Sequence, residues 1–211
     1  FKISKEIEVI PNFIDLQRFS KLKKDHFRRA IAPNNQRIIV HASNFRAVKR
    51  VSDVVTVFNK IHAEIPSKLL LIGDGPERSR VEKECRESIG CDDIRFLGKL
   101  EAVEEVLSVA DLFILPSESE SFGLAALEAM ACQVPIIGTN SSGTPELLGN
   151  GDYGLLVAPD DAEELASAMR HLMDNQSESK AMAQRAELRY QERYSKSASV
   201  QAMRKIVLEL N

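Results

Sequence analysis

The sequence predicts an α/β protein built on a doubly wound parallel β-sheet. Short apolar runs, such as RIIVHA at 37–42 and SKLLLI at 67–72, alternate with longer amphipathic segments. Residues 111–139 contain an apolar run, a polar turn, a helical segment and a second apolar run, which is the strand–helix–strand unit of a parallel sheet. The repeated alternation of strands and helices favours one sheet with helices on both faces.

The individual elements follow from hydrophobic periodicity and from the turn residues between them. Residues 51–65, for example, place their apolar side chains at the spacing of one buried helical stripe. A short strand at 6–10 and a connecting helix at 21–29 are expected to precede the sheet. We predict further strands at 37–42, 67–72, 94–97, 111–115, 134–139 and 154–158, and helices at 51–65, 77–89, 103–110, 122–132, 161–174, 178–192 and 196–210.

Length and charge limit the classes of protein to consider. With 211 residues, of which 44% are hydrophobic, the chain can form one sizeable core, and one domain is the simplest count. A net charge of −3 gives no general attraction to nucleic acid or to an anionic membrane, so neither is expected as a partner. No apolar run approaches the ~20 residues that span a bilayer, and the first residues lack the pattern of a signal peptide.

Cysteine and histidine usage argues against a metal site. The three cysteines, Cys85, Cys91 and Cys132, form no C-x-x-C pair and are odd in number, which indicates neither a disulfide framework nor a zinc site. Reduced cysteines favour a cytoplasmic location. The histidines show no ligand spacing and are interpreted as structural or surface residues, so no metal is expected. These histidines are His26, His41, His62 and His171.

The turn between the strand at 111–115 and the following helix carries the strongest chemical signal. Glu120 precedes the predicted helix start, Gly123 lies in the first turn, and Glu128 follows inside the helix. A helix start presents unpaired N–H groups and a partial positive charge, so it favours an anion such as a diphosphate where glycine allows close approach. The two carboxylates are expected about 10 Å apart along the axis, at ~1.5 Å per residue, where they can bracket that ligand.

A structural role is the alternative for both carboxylates. A glutamate at a helix start is often only a partner of the helix dipole, and one within a helix usually lies on the surface. Glu128, however, lies in the apolar run GLAALEAMAC, where a charge needs a partner. We therefore prefer the functional interpretation.

Two other loops follow predicted strands, at the edge where open parallel sheets place ligands. Residues 43–50 (SNFRAVKR) contain the cations Arg46, Lys49 and Arg50, for which a solvated turn is the alternative. Residues 73–76 (GDGP) contain two glycines that let backbone approach a ligand, but a plain tight turn explains them equally well. No G-x-G-x-x-G opens the first strand–helix unit, which disfavours a dinucleotide-dependent dehydrogenase.

The segment ESFGLAALE at 120–128 resembles the E-x7-E signature of the family 4 retaining glycosyltransferases, and other motifs match in order over nearly the whole chain. Members of that family have two Rossmann-like domains facing a cleft, the GT-B fold. The resemblance implies that residues 1–211 form the C-terminal, nucleotide-sugar-binding domain. It implies that Glu120 contacts the donor sugar and that Glu128 holds the nucleotide ribose. The diphosphate would be held by the backbone at Ser121, Phe122, Gly123 and Leu124.

The same resemblance assigns roles in the basic loop. Lys49 matches a family lysine that holds the diphosphate and offsets leaving-group charge. The arginine that accompanies this lysine in the family falls on Asn44 here, and Arg46 is the available substitute. The implied catalytic residues are thus Lys49, Arg46 and Glu120, with Asn44 among the donor-binding ones. No side chain is an obvious nucleophile, and direct same-face transfer is the usual proposal for the family.

Three more matches concern neighbouring loops. Gly73 belongs to a G-D-G-P segment that the family also has, and it would border the donor. By resemblance, the nucleotide base would lie against the main chain of Lys99 and Leu100. Gly143 and Glu146 match a family G-x-x-E motif, for which a structural helix start is the equal alternative.

The motifs SNFRAVKR, LLLIGDGPER, FLGK and LPSESESFGLAALEAMAC together most resemble the branch of the family that transfers N-acetylglucosamine to L-malate in bacillithiol synthesis. The implied donor is UDP-N-acetylglucosamine, and the implied reaction is transfer with retention to the hydroxyl of malate. One rival is a family member with another UDP-sugar donor or another acceptor. A rival from a different class is a non-catalytic nucleotide-binding domain.

The resemblance also implies a second domain as partner. The opening VIPNFIDLQRF resembles the segment where family members cross from the first domain into the second, so an N-terminal domain is expected to precede it. The helix within 195–211 would cross back to that domain. Because the family builds its acceptor pocket mainly in the first domain, we expect this chain alone to bind donor without transferring sugar. Homo-oligomerisation is left open.

Overall fold

The computed structural model describes residues 7–15, 17–21 and 25–209, and its centre is a parallel β-sheet. The strands are β1 Arg37–Ser43, β2 Ser67–Gly73, β3 Ile94–Gly98, β4 Leu112–Leu115, β5 Ile136–Thr139 and β6 Leu155–Val157. They lie in the order β3-β2-β1-β4-β5-β6, and neighbouring strands pair in parallel throughout. The prediction of a Rossmann-like, doubly wound α/β fold is confirmed.

Helices cover both faces of this sheet. They are α1 Asp25–Ile31, α2 Val51–His62, α3 Arg78–Arg86, α4 Val103–Leu107, α5 Leu124–Ala131, α6 Thr144–Leu147, α7 Ala162–Asp174, α8 Gln176–Arg189 and α9 Lys196–Glu209. Successive strand residues point to opposite faces, so Ile38 packs with α5 and α8 while Ile39 packs with α2 and α7. In the described part of the chain, none of the helices is both long enough and apolar enough to cross a bilayer.

The structure corrects several predicted boundaries. The expected strand at 6–10 is wrong for residues 7–10, which have no regular structure, and residue 6 lies outside the described residues. The helix expected at 178–192 ends at Arg189 and continues as a π-helical turn, Tyr190–Tyr194. Tyr190 is fully buried, and its hydroxyl donates to the Ile14 carbonyl at 3.0 Å. This contact ties the turn to the start of the chain, which periodicity within one segment cannot predict.

The prediction of reduced cysteines is wrong for two of the three. Cys85, in α3, and Cys91, which opens a short 3₁₀ turn before β3, form a disulfide across a reversal of the chain. A spacing of six residues matches no common metal or redox motif, and the pairing depends on how the chain turns at 87–90. Cys132 is free and buried. The cytoplasmic location, which was inferred from reduced thiols, stays a prediction.

The strand order places one edge of the sheet at a topological switch point. From β1 the chain moves outward through β2 to β3, and it then returns to β4, which pairs with the other side of β1 through Ile39↔Leu112 and Val40↔Phe113. The loops after β1 and β4 therefore diverge toward opposite faces of the sheet. The crevice between such loops, outside the carboxyl ends of the strands, is where doubly wound sheets bind ligands.

Candidate functional site

An ion pair between Lys49 and Glu120 joins the two loops at the switch point. Lys49 Nζ lies 2.5 Å from Glu120 Oε2, and the two side chains are only 16% and 13% exposed. The backbone supports the same contact, because the Glu118 N–H donates to the Val48 carbonyl at 2.9 Å. The structure thus brings together two predicted site residues that are 71 positions apart in the sequence.

A buried histidine lies beneath this pair. His41, on β1, has no exposed surface, and its Nδ1 is 2.9 Å from the Ile114 carbonyl. Since a carbonyl only accepts, Nδ1 carries the proton and Nε2 accepts from the Ser43 hydroxyl at 2.8 Å. Desolvation lowers the pKa of His41 to about 4, and the Lys49 charge adds to that lowering, while the Ile114 hydrogen bond and Glu120 raise it. The imidazole is therefore neutral at physiological pH.

His41 helps to shape the basic loop. The Ser43 Oγ that donates to the imidazole also accepts from the Phe45 N–H at 3.3 Å, at the point where Phe45 adopts a positive φ of 41°. From the sequence, His41 is interpreted only as a structural or surface residue. A usable signal was present, because a histidine inside the apolar strand RIIVHA is a buried polar group that needs partners.

The two glycines of the GDGP segment let the basic loop pack against the end of β2. A Cβ atom at Gly73 would lie 1.7 Å from the Ser43 carbonyl oxygen, and one at Gly75 would lie 2.0 Å from the Asn44 oxygen. Gly73 also has a φ of +121°, which other residues rarely adopt. This packing accounts for the glycines structurally, and contact between Gly73 and a donor stays a prediction.

The cations of the basic loop have different environments. Arg50 is engaged by carboxylates, with Asp53 at 2.5 Å, Glu118 at 2.7 Å and a further pair to Asp160. Its function is therefore to brace the loop and the start of α2. Arg46 is exposed, and within the described residues its side chain forms no hydrogen bond or ion pair. Asn44, at the position of the family arginine, is exposed as well.

The start of α5 is arranged to receive an anion. The helix begins at Leu124, two residues later than predicted, because Gly123 adopts a left-handed conformation with φ +88° and ends the preceding turn. No side chain caps this helix start, and the first intrahelical bond runs from the Leu127 N–H to the Gly123 carbonyl at 3.0 Å. The N–H groups of residues 124–126 are therefore free of helical partners. Ser121 and Leu124 are exposed beside them.

A second glycine supports the turn that carries Glu120. The Gly143 N–H donates to the Glu120 carbonyl at 2.8 Å, and a Cβ atom at position 143 would lie 2.5 Å from the Ser121 oxygen. Gly143 thus has a packing function in the predicted G-x-x-E segment. Glu146 of that segment has a side chain that is 72% exposed, with Arg193 at 3.5 Å, and does not reach the Lys49–Glu120 pair.

Glu128 is a half-buried carboxylate in the second turn of α5. Since the helix starts only at Leu124, the two glutamates are not separated by two helical turns, and Glu128 is about 6 Å along the axis from the first helical residue. Desolvation raises the pKa of Glu128 to about 7, with Arg18 lowering it and Glu104 raising it. Within the described residues its carboxylate forms no hydrogen bond or ion pair. Such a group is well suited to a ligand hydroxyl.

The predicted nucleotide-base segment lies on the same side of the molecule as Glu128. Lys99 and Leu100 follow Gly98, the last residue of β3, which has a φ of +67°. They lead into α4, and α4 packs against α5. Lys99 is exposed, whereas Leu100 packs against the core beneath α5. The structure therefore places this segment near Glu128, and contact with a base stays a prediction.

Together these residues form a two-sided polar crevice. An ammonium group has three donors, so Lys49 can keep its bond to Glu120 and still donate to a phosphate oxygen. The N–H groups at the start of α5 follow the same loop after β4, and Glu128 lies about one turn further along the helix. The arrangement suits a ligand that combines a diphosphate with hydroxyl groups at both ends. Among the described residues, no cluster of three histidine, cysteine or acidic side chains is placed to hold a metal ion.

Comparison with known proteins relates this geometry to a family. Residues 23–189 match the family described as "Glycosyl transferases group 1". N-acetyl-alpha-D-glucosaminyl L-malate synthase from Bacillus anthracis is 41% identical over 186 residues, which cover 88% of this chain and 49% of that protein. The chain thus spans about half the length of this relative.

Two solved structures share the fold. The Anabaena protein HepE, crystallised with UDP, superimposes with a TM-score of 0.86 at 22% identity, over 96% of this chain and 57% of that one. Sucrose-phosphate synthase from Thermosynechococcus elongatus superimposes with a TM-score of 0.84 at 26% identity, over 96% and 52% of the two chains. The described strands and helices therefore correspond to one part of these larger proteins.

Proposed function

Because the chain belongs to the group 1 glycosyl transferases, we propose that it is the donor-binding half of a retaining enzyme that transfers N-acetylglucosamine from UDP-N-acetylglucosamine to L-malate. The observation that carries this proposal is the Lys49–Glu120 ion pair at the switch point, next to the uncapped start of α5. The 41% identity to an N-acetyl-alpha-D-glucosaminyl L-malate synthase supports the choice of substrates.

In the proposed complex, the diphosphate lies between Lys49 and the N–H groups of α5. Glu128 then accepts hydrogen bonds from the ribose diol, since a carboxylate can accept two at once. Glu120 accepts from hydroxyl groups of the sugar while it keeps Lys49 oriented. In each of these contacts, the group that the protein supplies lies near the carboxyl ends of the β-strands.

The proposed chemistry is electrostatic stabilisation of the leaving group. As the bond from the sugar to UDP breaks, negative charge develops on the departing phosphate, and Lys49 and the helix start are positioned to stabilise it. We assign Arg46 a supporting role in the same step, because it is an exposed cation three residues before Lys49. The malate hydroxyl attacks the anomeric carbon from the face that UDP leaves, so the configuration is retained, and its proton passes to the departing phosphate oxygen.

We place the acceptor site largely in a second domain. Malate needs a cation or an amide fork for each carboxylate, and the cations of the described crevice are assigned to the diphosphate or, for Arg50, to neighbouring acids. α9 exposes apolar side chains, including Met203 at 46% and Leu208 at 74%, which supports its docking on that domain. Catalysis also needs a cleft that closes around both substrates.

The proposal is tested by comparing this chain with an enzyme that has an N-terminal domain joined before Phe1. Each is incubated with UDP-N-acetylglucosamine and malate, and the malate glycoside is measured by mass spectrometry. We expect donor binding by both proteins and transfer only by the two-domain enzyme. Malate-dependent turnover by this chain alone would place the acceptor site here and contradict the domain assignment.

A different donor or acceptor within the same family is the second candidate. The similarity in fold to sucrose-phosphate synthase keeps it open, because the same architecture serves another transfer there. Paired titrations of the two-domain enzyme with UDP-N-acetylglucosamine and UDP-glucose separate the candidates. Preference for UDP-glucose would reject the proposed donor, and binding of UDP without transfer of any sugar would favour a non-catalytic nucleotide-binding domain.

A further inference from the structure

A cavity of about 230 Å³ lies at the edge of the sheet opposite the Lys49–Glu120 pair. Its walls come from the amino ends of β1, β4 and β5, from the end of α7 and from the first half of α8. Pockets for drug-sized ligands commonly measure roughly 300–1,000 Å³. The cavity is therefore too small for a nucleotide sugar and fits a small metabolite.

The polar wall of this cavity carries excess positive charge. Lys21, Arg37 and Lys180 line it together with one acidic residue, Asp111. The Asp111 carboxylate is already used, because it accepts from Arg28 Nη2 at 2.7 Å and from the N–H of Ile38 at 2.8 Å. Neither lysine forms an ion pair with a carboxylate in the ranges that the structure describes.

Arg37 is partly satisfied by the protein. Its guanidinium lies 3.5 Å from the Met173 carbonyl at the end of α7. When the Gln176 amide is turned so that its oxygen faces Arg37, that oxygen accepts from Nη1 at 3.0 Å. The pKa of the Lys21 ammonium is lowered, mainly by desolvation and also by the charge of Lys180. The Asp111 carboxylate raises this pKa in part. Both lysines are exposed at the rim of the cavity, and an anion bound there would offset the repulsion between them.

A serine hydroxyl lies in the same wall. Ser179 is 6% exposed and lines the cavity, and within the described ranges its side chain forms no hydrogen bond. The neighbouring Gln133 is occupied, because its amide donates to Glu187 at 2.6 Å. Because this hydroxyl faces the cavity, it can donate a hydrogen bond to a ligand oxygen there.

The remaining wall is apolar. It is formed by Ala110, Pro135, Leu172, Met173 and Ala183. We propose that this cavity binds a small organic anion, whose phosphate or carboxylate group is held by Lys21, Lys180 and Ser179 and whose carbon skeleton packs against the apolar wall. The site is separate from the donor crevice, because the two lie at opposite ends of the strands.

The test is a titration of the ¹⁵N-labelled chain with inorganic phosphate, glycerol 3-phosphate and succinate, followed by amide chemical shifts. We expect at least one probe to shift the amides of 133 and 179–184 saturably in the millimolar range. Lys180→Gln and Ser179→Ala should each raise the apparent Kd about fivefold or more, as expected for one hydrogen bond to an anion in a partly exposed site. The phosphate and succinate arms show which anionic group is preferred.

Two features of the experiment keep it decisive. Lys83→Gln removes the same charge from an exposed position of α3 and should leave the Kd unchanged. Binding of phosphate in the donor crevice would shift amides at 123–126 instead, and Lys180→Gln would not affect it. The proposal is overturned if none of the probes shifts the cavity amides saturably, or if those shifts are insensitive to Lys180→Gln.

Discussion

Lys49 Nζ and Glu120 Oε2 lie 2.5 Å apart, and they connect the loops that leave β1 and β4 in opposite directions. The pair is partly buried, so its two charges are oriented before any ligand arrives. Orientation of this kind is what electrostatic catalysis requires, because the protein then does not reorganise as charge develops. The proposed function therefore requires Lys49 to stabilise the transition state more than it stabilises the bound donor.

Lys49→Ala in the two-domain enzyme should lower kcat by about a hundredfold and change the donor KM much less. The size is that typical for loss of one group that stabilises developing charge. Steady-state kinetics with UDP-N-acetylglucosamine and malate measure both quantities. Lys83→Ala is the control for loss of an exposed charge. A change confined to KM would make Lys49 a residue of ground-state binding.

Glu128→Gln should weaken binding of UDP-N-acetylglucosamine by about 1.5–3 kcal/mol at pH 8, because a charge-assisted hydrogen bond is replaced by a neutral one. The wild-type affinity should also fall about tenfold from pH 8 to pH 6. The pKa of Glu128 is about 7 in the free protein, so the lower pH protonates the carboxylate. Calorimetry on both proteins provides the measurement. Glu128 would be rejected as the ribose ligand if Glu128→Gln bound the donor as tightly as wild type, or if the affinities of both proteins depended equally on pH.

The same substitution should stabilise the free protein at alkaline pH. The pKa of Glu128 is raised from 4.5 to about 7 on folding, so its favourable contribution is complete below pH 4.5 and is lost as the pH rises through 7. When the pH is raised from 5 to 8, the unfolding free energy of Glu128→Gln should therefore increase by about 1–3 kcal/mol relative to that of wild type. Urea unfolding at both pH values tests this. The exposed Glu192→Gln should show no such gain, and a pH-independent difference for Glu128→Gln would contradict the burial argument.

Gly143→Ala should displace the turn that carries Glu120. The φ of Gly143 is −80°, which alanine accepts, so the cost comes from a Cβ atom 2.5 Å from the Ser121 oxygen. We expect a loss of about 1–3 kcal/mol in unfolding free energy, as for other overpacked positions, together with weaker donor binding. Thermal unfolding and calorimetry measure the two effects, with Ser142→Ala as the neighbouring control. Unchanged affinity would show that the turn tolerates displacement.

Local patterns predicted the sheet, because buried strands and amphipathic helices have distinct periodicities and the turn residues separate them clearly. They also directed attention to Glu120 and Glu128, because one precedes a helix start and the other is a charge within an apolar run, whereas Lys49 was singled out by the family resemblance. The roles of all three residues stay predictions. Features that depend on distant contacts were not predicted. The hydrogen bonds of His41 to Ile114 and Ser43, and the disulfide between Cys85 and Cys91, exist only once the chain has folded.

The start of α5 shows the limit of periodicity most clearly. Phe122 and Gly123 continue the apolar pattern of the helix, so the sequence predicted a start at 122. Backbone geometry overrides this pattern, because the left-handed Gly123 ends the turn and opens the helix at Leu124. The shift brings Glu128 closer to the helix start than the spacing of the two glutamates suggested.

A crystal structure of this chain with UDP-N-acetylglucosamine tests the central claim most directly. We predict the diphosphate within hydrogen-bond distance of Lys49 Nζ and of the N–H groups of 124–126, with the ribose hydroxyls on the Glu128 carboxylate. A nucleotide bound away from the switch point, or one whose diphosphate contacts neither Lys49 nor the start of α5, would contradict it.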